Sequence, residues 1–271
     1  MSYRSKISIV KNIFHAPMNF WKDPTKFKIE QFKKIKLKEK IDFSSRQIEK
    51  YHQIIHWDHL ELSPTFPYTL MTHLQFTLVN HRDFPFPPFG LIHKSESIEI
   101  LEQLTIGKWE MTCSLEKIER VERGYEVELM SELLINGKVV WRSKTLALKK
   151  MKGKVKRKSR EPVNGQGTIF WNIPADQGFR YGLLSENIDP IHLSSLTARL
   201  MGFRKAIIHG MWTLGRGMAE LGHLQYPMNI NVKFISPIQL PAKVMFEKNQ
   251  QGFSVYSADG KKIHLSVILG S

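Results

Sequence analysis

Tyr181-Gly182-Leu183-Leu184-Ser185-Glu186-Asn187-Ile188-Asp189-Pro190-Ile191-His192 is the stretch on which the reading of this chain turns. Within it, Asp189-Pro190 is a helix-start pair, with Asp as N-cap and Pro at the first helical position. His192 then falls in the first turn, where the positive end of the helix dipole disfavours protonation. A neutral imidazole there accepts a proton or holds a water. Glu186, Asn187 and Asp189 add oxygens within a few residues, so carboxylate, amide and imidazole gather at a strand-to-helix junction. Plain N-capping beside a satisfied histidine would use the same residues. Downstream, Ile207-Ile208-His209-Gly210-Met211-Trp212 opens a second helix. A glycine at that point allows close backbone approach, and its N–H points outward with the dipole as an oxyanion donor. Tight helix–sheet packing would also select Gly210, and the two uses can coexist.

Working outward, the pattern predicts a short strand near 167–172, turn-rich residues, a helix near 192–201, a helix from about Met211 to Leu221, and strands near 228–236, 241–248, 252–257 and 261–269. The first half reads similarly. Ile35-Lys36-Leu37-Lys38 alternates like a strand. Ser44 and Gln47 form a capping box for a helix to about Ile55. Tyr68 to Val79 is apolar enough for a buried helix. Strands follow near 91–101, 109–121, 124–135 and 138–149, the last two joined by the Asn136-Gly137 hairpin signal. Gly124-Tyr125-Glu126-Val127 with its hairpin and closing strand is echoed by Gly252-Phe253-Ser254-Val255, a hairpin at Asp259-Gly260-Lys261 and the closing strand to Leu269. A repeated helix-plus-meander unit is the simplest organisation. The expected divisions are a basic N-terminal arm (1–40), a first repeat (41–150), a basic linker (151–164) and a second repeat (165–271).

The chain of 271 residues has 40 basic and 25 acidic side chains, for a net charge of +15. Residues 1–40 and 149–160 each carry +8, so the rest of the chain is nearly neutral. Nucleic acid, an anionic membrane surface, an acidic carrier protein or a polyphosphate-bearing ligand would suit such patches, as would a solvated linker. The single cysteine, Cys113, excludes an intrachain disulfide and a multi-cysteine zinc site, and reads as a small core residue. No apolar run reaches the length of a membrane span, and the cytoplasm is the default location. A helical group of His52, His56 and His59 beside Asp58 has spacing that would put three rings on one helical face, but zinc sites built from one helix alone are unusual, so no metal is expected.

The second half resembles the MaoC-like (R)-specific enoyl-CoA hydratase and dehydratase family. The family's motif runs Tyr, a short spacer, Ser-Gly-Asp-x-Asn-Pro-Ile-His, five residues, then Ala or Ser. Here it reads Tyr181, Ser185-Glu186-Asn187-Ile188-Asp189-Pro190-Ile191-His192 and Ala198, with Gly202-Phe203 and Ile208-His209-Gly210-Met211 as its continuation. The first half, through Ser63-Pro64-Thr65-Phe66-Pro67-Tyr68 and Phe84-Pro85-Phe86 to His93, is similar to the degenerate partner of two-repeat members. The resemblance implies an α+β double hot-dog fold, each half wrapping a curved antiparallel sheet around a long central helix, with sheet-on-sheet pairing of the halves covering both faces. It implies an acyl thioester of coenzyme A or acyl carrier protein as substrate, reversible hydration of a trans-2-enoyl chain in fatty acyl metabolism, and no metal or redox cofactor. Hot-dog domains commonly pair, so monomer and homodimer both stay open.

The resemblance assigns catalytic roles to His192, Asn187, Asp189 and Gly210, and substrate binding to Ser185, Glu186 and His209. Arg204, Lys205 and the 149–160 run are candidates for coenzyme A phosphates, on charge. The acyl tail is expected in an apolar tunnel partly lined by the helix near 68–79. One departure matters. The family's Asp and His, five residues apart, activate one water, and the matching pair here is Asn187 and His192; the family's Asn is here Asp189, and its Gly is Glu186. An amide takes no proton at working pH but still orients a water. Three readings follow: Asp189 or Glu186 acts as a relocated base in a hydratase, His192 alone with Gly210 supports weak or different thioester chemistry, or the protein binds acyl thioesters without turnover; the basic segments alone would suit a nucleic-acid-binding protein.

Overall fold

Asn136 and Gly137 both take positive φ, 51° and 79°, as a two-residue hairpin turn requires. They join β4 (Gly124–Ile135) to β5 (Lys138–Lys150) in the first half of a computed structural model that describes residues 22–29, 32–87, 90–151 and 162–270. Ahead of them come β1 (Ile35–Ile41), α1 (Ser45–Ile55), α2 (Phe66–Val79), β2 (Leu91–Ile100) and β3 (Trp109–Val121). The second half contains β6 (Ile169–Ile173), α3 (Gln177–Ser185), α4 (Pro190–Leu193), α5 (Ser195–Leu200), α6 (Gly210–Ala219), β7 (Met228–Phe234), β8 (Ala242–Asn249), β9 (Gly252–Ser257) and β10 (Ile263–Gly270). The first 21 residues and 152–161, which hold most of the two basic segments, lie outside the described residues.

All ten strands form one antiparallel sheet in the order β1-β3-β4-β5-β2-β7-β10-β9-β8-β6. The first five strands run in the order 1-3-4-5-2. Read from the opposite edge, the last five run 6-8-9-10-7, the same topology. Each half opens with an edge strand, crosses through helices, and returns as a four-stranded set. The halves meet through β2 and β7, antiparallel, with Ser95 opposite Lys233 and Ile100 opposite Met228. This corrects the expectation of sheet-on-sheet pairing. The halves join edge to edge, which gives the otherwise free backbone groups of β2 and β7 hydrogen-bond partners and removes two exposed edges. β1 begins inside the stretch read as a basic arm, yet pairs along its length with β3, Ile35 opposite Leu115 and Ile41 opposite Trp109.

The repeat extends to backbone detail. Gly124 and Gly252 start β4 and β9 with φ of 146° and 152°, and a Cβ on either would strike a carbonyl oxygen of the neighbouring strand, Lys149 or Val267, at 2.0 and 2.4 Å. Only glycine fits either place. The core lies between the sheet and the helices: Met71, Leu74 and Leu78 of α2 are buried, as are Trp109, Leu129 and Trp141 from the first half's strands and Leu214 and Met218 of α6. Cys113 is buried in it, and burial pushes its thiol up to about 12. Trp212 Nε1 and Gln177 Nε2 both donate to the Ile54 carbonyl, at 2.8 and 3.2 Å, which ties α6 and α3 to α1 of the first half.

Two local expectations change. The residues read as turn-rich before His192 include the helix α3. The helix expected near 192–201 is two short ones, because Ser194 is extended (φ −156°, ψ 161°) and its hydroxyl accepts from Thr197 N at 3.1 Å, ending α4 and capping α5.

Candidate active site

The motif residues occupy the corner where α3 turns into α4 and α4 faces the start of α6. Glu186 closes α3 in the left-handed conformation, φ 55°. Asn187 and Asp189 then form nested turns: Asn187 Oδ1 accepts from Asp189 N at 3.3 Å, and Asp189 Oδ1 accepts from Ile191 N at 3.2 Å, capping α4. Pro190 takes the first helical position, as the pattern predicts.

His192 is 9% exposed. Its Nδ1 lies 2.8 Å from the Ile207 carbonyl oxygen. A carbonyl only accepts, so Nδ1 carries the proton, and in the neutral ring Nε2 is left as a bare lone pair. Burial holds this imidazole below its ordinary range, against the Ile207 hydrogen bond and the charge of Asp189, which both favour the protonated form. The expected cause was the helix dipole; burial is the dominant one. Asp189 therefore senses His192 electrostatically while its own carboxylate caps the helix.

His209 was anticipated as a binding residue, but its placement against His192 is not visible in the sequence. The two rings stack, centroids 3.6 Å apart and 24° from parallel. His209 Nε2 lies 3.3 Å from the Asn187 carbonyl oxygen, to which it donates, and its Nδ1 is buried with no hydrogen-bond partner. Burial, then the neighbouring His192, hold it well below the ordinary imidazole value. The Tyr181 ring lies 5.0 Å away. This packing needs Gly182, whose Cβ would lie 2.6 Å from the Asn187 carbonyl oxygen. The result is a pair of neutral imidazoles, each with one bare basic nitrogen, Nε2 in His192 and the buried Nδ1 in His209.

His209 is also the N-cap of α6, and Gly210 is its first residue. The first N–H groups of a helix have no intrahelical acceptor and carry the positive end of the dipole. A Cβ on Gly210 would meet the Phe234 ring at 2.6 Å, so tight packing is one reason for glycine here.

The other proposed binding residues are placed differently. Ser185 is buried, and its hydroxyl donates to the Tyr181 carbonyl one helical turn back, 2.9 Å. Glu186 reaches across the seam between halves: its Oε2 lies 3.6 Å from Nδ1 of His73 on α2, and His73 Nε2 lies 3.6 Å from Oε2 of Glu39 on β1. Arg204 and Lys205 are exposed on the loop after α5. Lys149, at the start of the basic run, is folded inward with Nζ 3.2 Å from the Pro87 carbonyl, and burial lowers its pKa.

The histidines of α1 do not share a helical face. The helix stops at Ile55, His56 takes the left-handed cap conformation, and His59 lies beyond it. His52 Nε2 accepts from Ser63 N at 3.3 Å, and burial pushes His52 down to about 4; His59 Nε2 reaches the Ala219 carbonyl at 3.1 Å. Among the described residues no three His, Cys, Asp or Glu side chains are grouped to hold a metal ion. No helix among them is long and apolar enough to cross a membrane.

Two repeats that each wrap sheet around helix, joined edge to edge over one site, define a double hot-dog protein. The chain is similar to the crystal structure of HtdX of Mycobacterium tuberculosis (TM-score 0.76, 20% identity, 88% of this chain and 99% of that one). It is also similar to a conserved M. tuberculosis protein described as having a double hotdog fold (TM-score 0.55, 7% identity, 88% and 94% coverage). Residues 148–268 match the family model described as MaoC like domain. In sequence it is 25% identical over 186 residues to 3-hydroxyacyl-thioester dehydratase X of M. tuberculosis, an alignment spanning 66% of each chain.

Proposed function

We propose that the protein is a MaoC-like enoyl-thioester hydratase and 3-hydroxyacyl-thioester dehydratase in which His192 is the acid–base group and Asn187 stands where the family has Asp. The observation that carries this is the His192 Nδ1–Ile207 carbonyl hydrogen bond of 2.8 Å, which fixes the tautomer and leaves Nε2 free to take a proton. The similarity to a named 3-hydroxyacyl-thioester dehydratase supports the same reaction class.

In hydration, His192 Nε2 takes a proton from water as its oxygen adds to Cβ of the trans-2-enoyl thioester. The electron pair of the C=C bond passes to Cα, enolate charge builds on the thioester oxygen, and the Gly210 N–H stabilises it. The imidazolium then returns its proton to Cα. In dehydration His192 removes the Cα proton and delivers it to the departing hydroxyl. Asn187 cannot act as base; it orients water through its amide, while Asp189 offsets the charge on His192 from its capping position. The substrate is an acyl thioester of coenzyme A or acyl carrier protein, with Arg204 and Lys205 available to a phosphate.

A second reading, binding of acyl thioesters without turnover, is favoured by the Asn187 amide, whose oxygen is already engaged with Asp189 N. Enoyl-thioester absorbance against time separates the two. Wild-type turnover abolished in His192→Ala supports the enzyme. Turnover only in Asn187→Asp supports the binding protein.

A further inference from the structure

The first half contains a second buried constellation that this reaction does not use. Glu96 of β2 is 1% exposed. Its Oε2 lies 2.9 Å from His93 Nε2, and its Oε1 is buried without any hydrogen-bond partner. A bulge at Lys94, between His93 and Ser95, turns His93 onto the same face as Glu96. Residues two and four places on, Ile98 and Ile100, are fully buried and apolar, so this row of the strand accommodates hydrocarbon readily. A half-satisfied carboxylate is among the costliest things to bury there.

Around it several buried side chains of the first half are polar. Thr145 faces Glu96 across β5 and accepts from Gln75 Nε2 of α2 at 3.1 Å. The Tyr68 ring stacks on His93, centroids 6.0 Å apart and 14° from parallel. Burial first, then the charge of Glu96, push the Tyr68 phenol well above its ordinary value, so it remains a donor. Between this cluster and the proposed active site stands one ring. Phe234 of β7 lies 4.5 Å from His93, centroid to centroid, and packs directly on Gly210. His93, Phe234 and Gly210 are each partly exposed, whereas Tyr68 and Glu96 behind them are buried. A chain of contacts thus runs from Gly210 through Phe234 and His93 to the Glu96 carboxylate, which His93 meets at Oε2.

We propose that the His93–Glu96 pair, walled by Tyr68, Gln75 and Thr145, is a recognition site for a hydrogen-bond donor, such as a hydroxyl, carried on the acyl chain of the substrate. Glu96 Oε1 accepts the hydrogen bond, and His93 holds the carboxylate in place. The proposal rests on the acyl-thioester reading and narrows it from plain alkyl chains to chains bearing a polar group.

The test is calorimetric binding of octanoyl-CoA and of its hydroxylated analogues, the hydroxyl stepped along the chain, to wild type, Glu96→Gln and Glu96→Leu. A hydrogen bond to a charged acceptor gives one analogue about tenfold or more tighter binding than octanoyl-CoA. The advantage should shrink to about threefold in Glu96→Gln, which keeps an acceptor but not the charge, and vanish in Glu96→Leu. Octanoyl-CoA itself should bind all three alike. Equal affinity for every analogue in wild type, or an advantage that survives in folded Glu96→Leu, overturns the proposal. The free hydroxyoctanoates, tested by thermal shift, separate the two levels. If octanoyl-CoA fails to bind while a free hydroxy acid protects wild type but not Glu96→Leu, the thioester reading falls and the polar site stands. If neither class binds, both fall.

Discussion

Acidification should unfold this protein through the stacked imidazoles. His192 and His209 are both held neutral by burial, so each binds its proton less readily in the fold than in the unfolded chain. A histidine depressed in the fold gives stability that is fully present above its unfolded value, about 6.5, and is lost as pH falls from there towards the folded value. Between those limits each such ring costs about 1.4 kcal/mol per pH unit, so the pair costs about 3 kcal/mol per unit. Against a typical total of about 5–15 kcal/mol that loss is large. The assay is urea denaturation at pH 8, 7, 6 and 5, with His209→Gln alongside. Wild type should be nearly flat from pH 8 to 7 and then fall steeply. His209→Gln has one titrating ring fewer at this corner and should fall less steeply by about 1.4 kcal/mol per unit. Carboxylates titrate alike in both proteins and cancel in the difference. Parallel curves would refute the reasoning, because the pair would then be titrating as freely in the fold as outside it.

Gly210→Ala forces a Cβ to within 2.6 Å of the Phe234 ring and should cost about 1–3 kcal/mol by overpacking, read by thermal melting, with activity falling further as the N–H shifts. Asp189→Ala removes the N-cap of α4 and should lose about 0.5–2 kcal/mol; it should also lower the pH at which His192 titrates, followed by imidazole NMR, since a favourable negative charge is gone. Gly252→Ala should cost at least about 1–3 kcal/mol and weaken β9–β10 pairing, because it combines an unfavourable φ with a backbone collision, seen as faster amide exchange in those strands.

Features with a local physical signature were legible in the sequence. Asn136-Gly137 shows a turn because few other pairs tolerate two positive φ values. The Asp189-Pro190 helix start and the matching glycines of the two meanders are equally local. The helix α3 was not legible: Gly178 and Gly182 look like turn residues, and only packing against α4 and the Asn187 carbonyl explains them as close-contact positions on a helix. Edge-to-edge joining of the halves depends on complementarity between β2 and β7, which no single segment displays. The stack of His192 on His209 joins residues from different elements, the helix α4 and the N-cap of α6. Glu96 was hidden for another reason: the Lys94 bulge changes the strand's parity, so simple alternation does not put His93 and Glu96 on one face.

The most direct measurement is the loss of enoyl absorbance when purified protein meets short and medium trans-2-enoyl-CoA, with His192→Ala run in parallel. If His192 is the acid–base group, wild type turns over and the variant falls by about 10²–10⁴-fold. Equal rates in wild type and His192→Ala would contradict that role, as would a silent wild type that gains turnover through Asn187→Asp.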